Sequence, residues 1–217
     1  MLRLLLPLAL LLLSCAHADT IAADPVAAPP AVRFTDQHGH ALRPGLLAVI
    51  NLPMQQALLS RCPAGQWDVI EAGNSREWNA DLSIAGASGW KDDDGWIVTG
   101  LTIPGLHIIL LRAGTGLGPT SETLAHELMH VAYLSLTSSQ KAAWHTLWPA
   151  KRKAYVLPDV YAMTSEEEGL AECWRFFLLA PGYAKTDPEI AAFCLSLTLP
   201  KVPAHEGSNI HMKVHAN

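Results

Sequence analysis

The sequence predicts an α+β protein, with short β-rich runs before residue 113 and a mostly helical half after it. Two observations carry that prediction. The runs Trp96-Ile97-Val98-Thr99-Gly100-Leu101-Thr102-Ile103 and Leu106-His107-Ile108-Ile109-Leu110-Leu111-Arg112 flank Pro104-Gly105 and read as a β-hairpin, with Pro presetting the first turn position and Gly supplying positive φ at the second. Beyond Pro119, apolar residues recur at helical spacing, punctuated by capping residues and prolines.

The chain opens with Met1-Leu2-Arg3 and a nearly unbroken Leu run to Leu13. One positive charge and a short apolar core have the shape of a secretory signal, and the run falls short of the roughly 20 residues a transmembrane helix needs. Two processing sites compete. Ala16-His17-Ala18 fits release before Asp19, giving a signal peptide of residues 1–18, whereas Leu12-Leu13-Ser14-Cys15 resembles a lipobox that would anchor Cys15 to lipid. Either way the expected location is outside the cytoplasm, periplasmic or secreted, with a membrane role only through such an anchor. Residues 19–32 are rich in Ala and Pro and read as a linker, residues 33–200 as one domain, and residues 201–217 as a flexible tail whose His205, His211 and His215 have no expected metal role.

A domain of that length can bury about 70% of its unfolded surface. The net charge of -5, without a basic run, excludes the electrostatic footprint of a nucleic-acid binder. Cys62, Cys173 and Cys194 remain after processing, an odd number that allows at most one intramolecular disulfide. Cys173 with Cys194 is the first pairing to expect, because it would tie two neighbouring helices; buried thiols are the alternative.

Within the domain, His38-Gly39-His40 reads as a turn rather than a metal site. Leu46 to Ile50 is a strand candidate, Pro53 to Ser60 a helix and Trp67 to Ile70 a strand. Residues 72–89 read as loops. Trp67, Trp78, Trp90 and Trp96 are expected to pack in or beside the core, and Lys91-Asp92-Asp93-Asp94-Gly95 lacks the ligand spacing of a calcium loop. The run 106–111 is expected to be an edge strand beside the following helix. There an extended substrate would add through main-chain hydrogen bonds at His107, Ile108, Ile109 and Leu110.

That following helix carries His126-Glu127-Leu128-Met129-His130, an HExxH pattern. Residues four apart on a helix share a face, so His126 and His130 can offer ring nitrogens to one ion while Glu127 takes a proton from a metal-bound water. A shuffled chain of this composition shows such a pattern with a probability of only about 2%. Leu124, Leu128, Val131 and Leu134 supply the apolar stripe. Next come a helix from Ser138 to Trp148 ended by Pro149, and one from Ser165 to Leu179 capped by Thr164 with Glu167. A last helix is opened by Asp187-Pro188 and runs to about Leu199.

A catalytic zinc site takes three protein ligands. Tyr133 and Leu136 stand where a metzincin would continue with Gly and His, so the third ligand must come from further along. Glu168 and Glu172 share a helix face. One can ligate while the other accepts the spare N–H of a ligating His, and Glu166 and Glu167 read as solvated.

The stretch Tyr161-Ala162-Met163-Thr164-Ser165-Glu166-Glu167-Glu168-Gly169-Leu170-Ala171-Glu172, downstream of the HExxH, resembles the catalytic domain of the anthrax lethal factor family of zinc metallopeptidases, which includes the Pro-Pro endopeptidases. The likeness covers roughly residues 95 to 180, with Gly169 and Leu170 standing where the family often has bulkier apolar residues. It implies a zincin-like fold and one catalytic Zn2+ held by His126, His130 and Glu168. It also implies base catalysis by Glu127, support from Glu172, and Tyr161 as donor to the oxyanion. The function expected is peptide-bond hydrolysis in a protein or peptide substrate. Two readings compete with it: an inactive zinc-binding protein of the cell envelope, which would not need Glu127, and a hydrolase of cell-wall peptides.

Overall fold

The computed structural model describes residues 32–72, 99–112, 120–180, 182–183 and 187–199. The expected signal peptide and tail, the segment 73–98 with Trp78, Trp90, Trp96 and Lys91–Gly95, and residues 113–119 lie outside them, as does the expected linker 19–32 except for Val32, which is a buried strand residue. The architecture is mixed α and β. A four-stranded sheet is formed by β1 (Val32–Thr35), β2 (Gly65–Ala72), β3 (Gly100–Ile103) and β4 (Ile108–Arg112), in the order β1-β2-β4-β3. Among the described residues there are six α-helices: α1 (Pro44–Ile50), α2 (Pro53–Leu59), α3 (Thr120–Tyr133), α4 (Ser138–Lys153), α5 (Glu166–Leu179) and α6 (Pro188–Ser196). None of the described helices is long and apolar enough to cross a membrane.

β1 pairs parallel with β2 (Val32↔Gly65), because α1 and α2 carry the chain back between them. β2 pairs parallel with β4 (Val69↔Ile109), and β4 antiparallel with β3 (Thr102↔Ile109). The unbroken apolar run of β4 suits a strand covered on both faces. Ile109 and Leu111 point into the main core with Leu46, Leu58, Val69, Leu124 and Leu128. Leu110, on the other face, meets Ala72, Ile70, Leu101 and Ile103.

The position of β4 corrects the expected edge strand. Residues 108–112 are hydrogen-bonded on both sides, so Ile108, Ile109 and Leu110 have no free backbone row for a substrate, and Ile109 and Leu110 are buried. His107 is exposed, but it stacks near Trp67 and its carbonyl is taken by the Asp68 N–H. Among the described residues, the outer strand beside α3 is β3. Its connection to β4 also differs from the expected turn: Pro104–Leu106 forms one 3-10 turn, and the left-handed residue is His107, at φ 57°, rather than Gly105.

Further along, the turn at His38-Gly39-His40 is present, with Gly39 at φ 79°. Leu46–Ile50 is helical, not extended. Leu46, Val49 and Ile50 fall at the i, i+3, i+4 spacing of one face and all three are buried. α4 passes through Pro149 instead of stopping there. The proline removes one backbone donor at a typical cost of about 3 kcal/mol, while Trp144 and Trp148 are buried just before it and a Thr137–Gln140 capping box fixes the start. α5 begins one residue later than expected. The Thr164 hydroxyl donates back to the Tyr161 carbonyl, and Ser165 takes over as N-cap by accepting the Glu168 N–H at 3.1 Å.

α6 is capped by Asp187 as expected and ends at Ser196. Leu134 lies past the end of α3 and is exposed. Cys173 and Cys194 are both fully buried thiols, not a disulfide. Burial pushes the Cys173 pKa up to about 12, although the Tyr183 hydroxyl donates to its sulfur.

α3 and α5 pack on each other, and that contact sets the site. Leu124, Leu128, Leu170 and Trp174 are wholly buried around it, each of the three leucines worth about 1.5 to 3 kcal/mol. Trp174 Nε1 donates to Gln55 Oε1 at 2.9 Å, which ties α5 to α2 with the polar groups of both side chains out of water.

Candidate metal centre

Three ligand atoms from two helices converge. Nε2 of His126 and Nε2 of His130, one turn apart on α3, are 3.0 Å from each other. Oε2 of Glu168, in the first turn of α5, is 3.0 Å from His126 Nε2 and 3.4 Å from His130 Nε2. Bonds of about 2.0 to 2.1 Å in a tetrahedral site put neighbouring ligand atoms about 3.3 to 3.4 Å apart. The triangle of His126, His130 and Glu168 therefore accepts a cation with shifts of a few tenths of an ångström, and these three residues form a group that could hold a metal ion.

The outer ring nitrogens are also met. Glu172 Oε1 lies 2.8 Å from His126 Nδ1, bent away from the line of an ideal hydrogen bond. Glu167 Oε1 lies 3.3 Å from His130 Nδ1. Carboxylates in these positions orient imidazoles and raise their basicity. Glu167 is exposed, as the sequence reading has it, and from that position it also reaches His130. Glu166 differs again: its carboxylate takes His145 Nδ1 at 2.8 Å, and its carbonyl accepts from Trp144 Nε1.

The electrostatics follow from this ring of acids. Burial on its own would lower the pKa of His126 and of His130. Glu168, Glu172 and Glu127 reverse that at His126, and Glu167, Glu168 and Glu127 do so at His130, so both imidazoles are raised. Burial raises Glu168, but hydrogen bonds and charge from the two imidazoles outweigh it and hold the carboxyl well below its usual range.

Glu127 is buried and lines the same cleft as the ligands, a space of about 390 Å3 also bounded by Gly100, Leu101, Thr102, Pro104, Tyr161 and Ser165. Two residues that sequence reasoning passed over hold it. The Thr102 hydroxyl lies 2.8 Å from Glu127 Oε2. At Gly100, a Cβ would come within 2.5 Å of Glu127 Oε1 and of Thr123 Cγ2, so only glycine lets β3 approach α3 this closely. A lone Gly and Thr in a short strand carry no sequence signal of such a role.

Tyr161 sits on a 3-10 turn, Tyr161–Met163, and its ring centroid is 6.0 Å from that of His126. Two contacts fix the turn: Asp159 Oδ1 accepts the Ala162 N–H at 2.9 Å, and Trp148 Nε1 donates to the Ala162 carbonyl at 2.9 Å. Gly169 lets α5 lie against that pair, since a Cβ there would overlap the Trp148 indole and the Ala162 carbonyl. The structure thus brings His126, Glu127, His130, Tyr161, Glu168 and Glu172 together, and leaves His107, Ile108, Ile109 and Leu110 out of the cleft lining. No protein-family model matches this chain, and no curated protein matches it in sequence.

Proposed function

We propose that this chain is a zinc metallopeptidase with a zincin-like domain of the anthrax lethal factor type, acting outside the cytoplasm on a protein or peptide substrate. The observation that carries the reading is the convergence of His126 Nε2, His130 Nε2 and Glu168 Oε2 within 3.0 to 3.4 Å of one another beside the buried carboxylate of Glu127. A donor set of two imidazoles and one carboxylate suits zinc, which when bound supplies Lewis acidity to a scissile carbonyl and acidity to water at its open position.

The chain's own residues do the rest. Glu127, fixed by the Thr102 hydroxyl, accepts the proton of the attacking water and delivers it to the leaving amine. Tyr161 offers its hydroxyl to the carbonyl oxygen as negative charge develops there. Glu172 and Glu167 hold the two imidazoles with their Nε2 atoms facing the cleft.

The test combines metal content and turnover. Purified protein loaded with zinc and then dialysed should retain one ion per chain, as should Glu127→Gln, while Glu168→Ala should retain none. Against a diverse peptide library, wild type should cleave and Glu127→Gln should lose about 10² to 10⁴ of the rate. Undiminished cleavage by Glu127→Gln would remove the mechanism. Cleavage of purified cell wall but of no library peptide would move the substrate class to cell-wall peptides.

A further inference from the structure

Arg175 lies one turn beyond Glu172 on α5, and its side chain is four-fifths shielded from solvent. Its guanidinium reaches three carboxylates on three different elements. Nε donates to Glu172 Oε2 at 2.8 Å, and Nη2 donates to the same oxygen. Nη1 donates to Glu122 Oε2 at 3.0 Å, and Nη2 also lies 3.4 Å from Asp159 Oδ2. Each acid leads to the site. Glu172 turns its other oxygen to His126 Nδ1. Glu122 is one turn before His126 on α3. Asp159 uses its other oxygen to hold the 3-10 turn that bears Tyr161.

We infer that Arg175 is a positioning residue, whose planar fork locks the His126 imidazole, the metal-binding face of α5 and the Tyr161 turn into one register. The fork geometry is what a guanidinium provides and an ammonium does not, since Lys offers a single point of charge. Without that cation, Glu172, Asp159 and Glu122 would face one another as like charges across the α3–α5 contact, and Glu172 would be free to turn away from His126. This inference rests on the metal-site reading above. It concerns residues that touch neither the ligand triangle's inner atoms nor a substrate.

The test measures zinc affinity of the full chain by competition with a chromophoric chelator, well below the melting temperature of each variant. Arg175→Gln should bind zinc about tenfold more weakly, the low end of the range for groups that orient a ligating His. Arg175→Lys should fall between it and wild type. A purely structural ion pair would lower thermal stability and leave zinc affinity alone, so a folded Arg175→Gln within twofold of wild type overturns the inference. Should that variant fail to fold, Arg175→Lys decides in its place, and unchanged affinity there overturns it equally. Wild type binding no zinc at all would instead sink the metal reading, a result distinct from wild type and variants binding alike.

Discussion

Gly100→Ala is a one-carbon perturbation aimed at the proposed general base, Glu127, from a strand that supplies none of the three candidate ligands. The new methyl carbon would lie 2.5 Å from Glu127 Oε1 and 2.5 Å from Thr123 Cγ2, about 1 Å inside the 3.5 to 4.0 Å at which non-bonded carbons attract. β3 cannot retreat, because Gly100 pairs with Leu111 and the neighbouring Thr99 carbonyl accepts the Arg112 N–H at 2.9 Å. The carboxylate must therefore swing out of place and lose its bond from Thr102. Overpacking of this kind costs about 1 to 3 kcal/mol, which lowers the melting temperature by about 2 to 12 °C in a domain of this size. Turnover should fall by about 10² or more, since a general base contributes about 10² to 10⁴. His126, His130 and Glu168 are untouched, so zinc content should stay at the wild-type level. Metal analysis, a thermal melt and cleavage of a library-derived peptide read the three effects separately. Wild-type turnover in a zinc-loaded Gly100→Ala protein would refute the account of how Glu127 is held.

Tyr161→Phe should keep zinc and stability but lose about 10² to 10³ in kcat, the usual cost of one oxyanion donor, and a packing residue would show no such loss. At pH 7 zinc uptake should release at least one proton per ion. The raised pKa values of His126 and His130 keep a proton on the facing nitrogens of the metal-free pair, and the cation must displace it. Calorimetry in buffers of different ionisation enthalpy measures the release, and a value of zero would contradict the assigned protonation. Tyr155 sits at φ 55° just past α4, where its N–H reaches the Arg152 carbonyl and the Val156 N–H reaches the Lys151 carbonyl. This helix-ending motif favours glycine, and Tyr155 is 80% exposed, so Tyr155→Gly should stabilise the protein by about 1 kcal/mol and raise its melting temperature by about 2 to 4 °C.

The helical half was legible because its signals are local. HExxH, the spacing of Glu168 and Glu172 and the Asp187-Pro188 start all depend on residues a turn apart, and the helix period turns such spacing into a shared face. What failed depended on partners distant in sequence. Nothing in residues 106–112 says that β2, some forty positions earlier, pairs with its outer side and removes it from the edge. Pro149 looks like a stop, yet packing of Trp144 and Trp148 outweighs one lost donor. Thr164 and Ser165 are both good caps, and the choice is made by the Tyr161 carbonyl, which claims the Thr164 hydroxyl. Gly100, Thr102 and Arg175 were invisible for the same reason, since each acts on a residue of α3 or on its acid partners through space.

The run Glu166-Glu167-Glu168 shows how one helix start does several jobs. Successive residues on a helix point about 100° apart, so three adjacent carboxylates reach three different imidazoles: His145, His130 and His126. Their negative charge also suits the first turn, where the helix dipole is positive. That placement concentrates charge at the site. Glu127, Glu167, Glu168 and Glu172 surround two imidazoles, and Arg175 offsets the acids from one side only. In the metal-free protein the histidines balance this excess by holding protons, which is why their pKa values rise despite burial. A divalent cation bound by the same nitrogens supplies positive charge at the centre of the ring. The acids that make the two imidazoles basic are therefore the ones that favour a dication between them, and replacing Glu172 by Gln should weaken zinc binding even though that residue sits outside the ligand triangle.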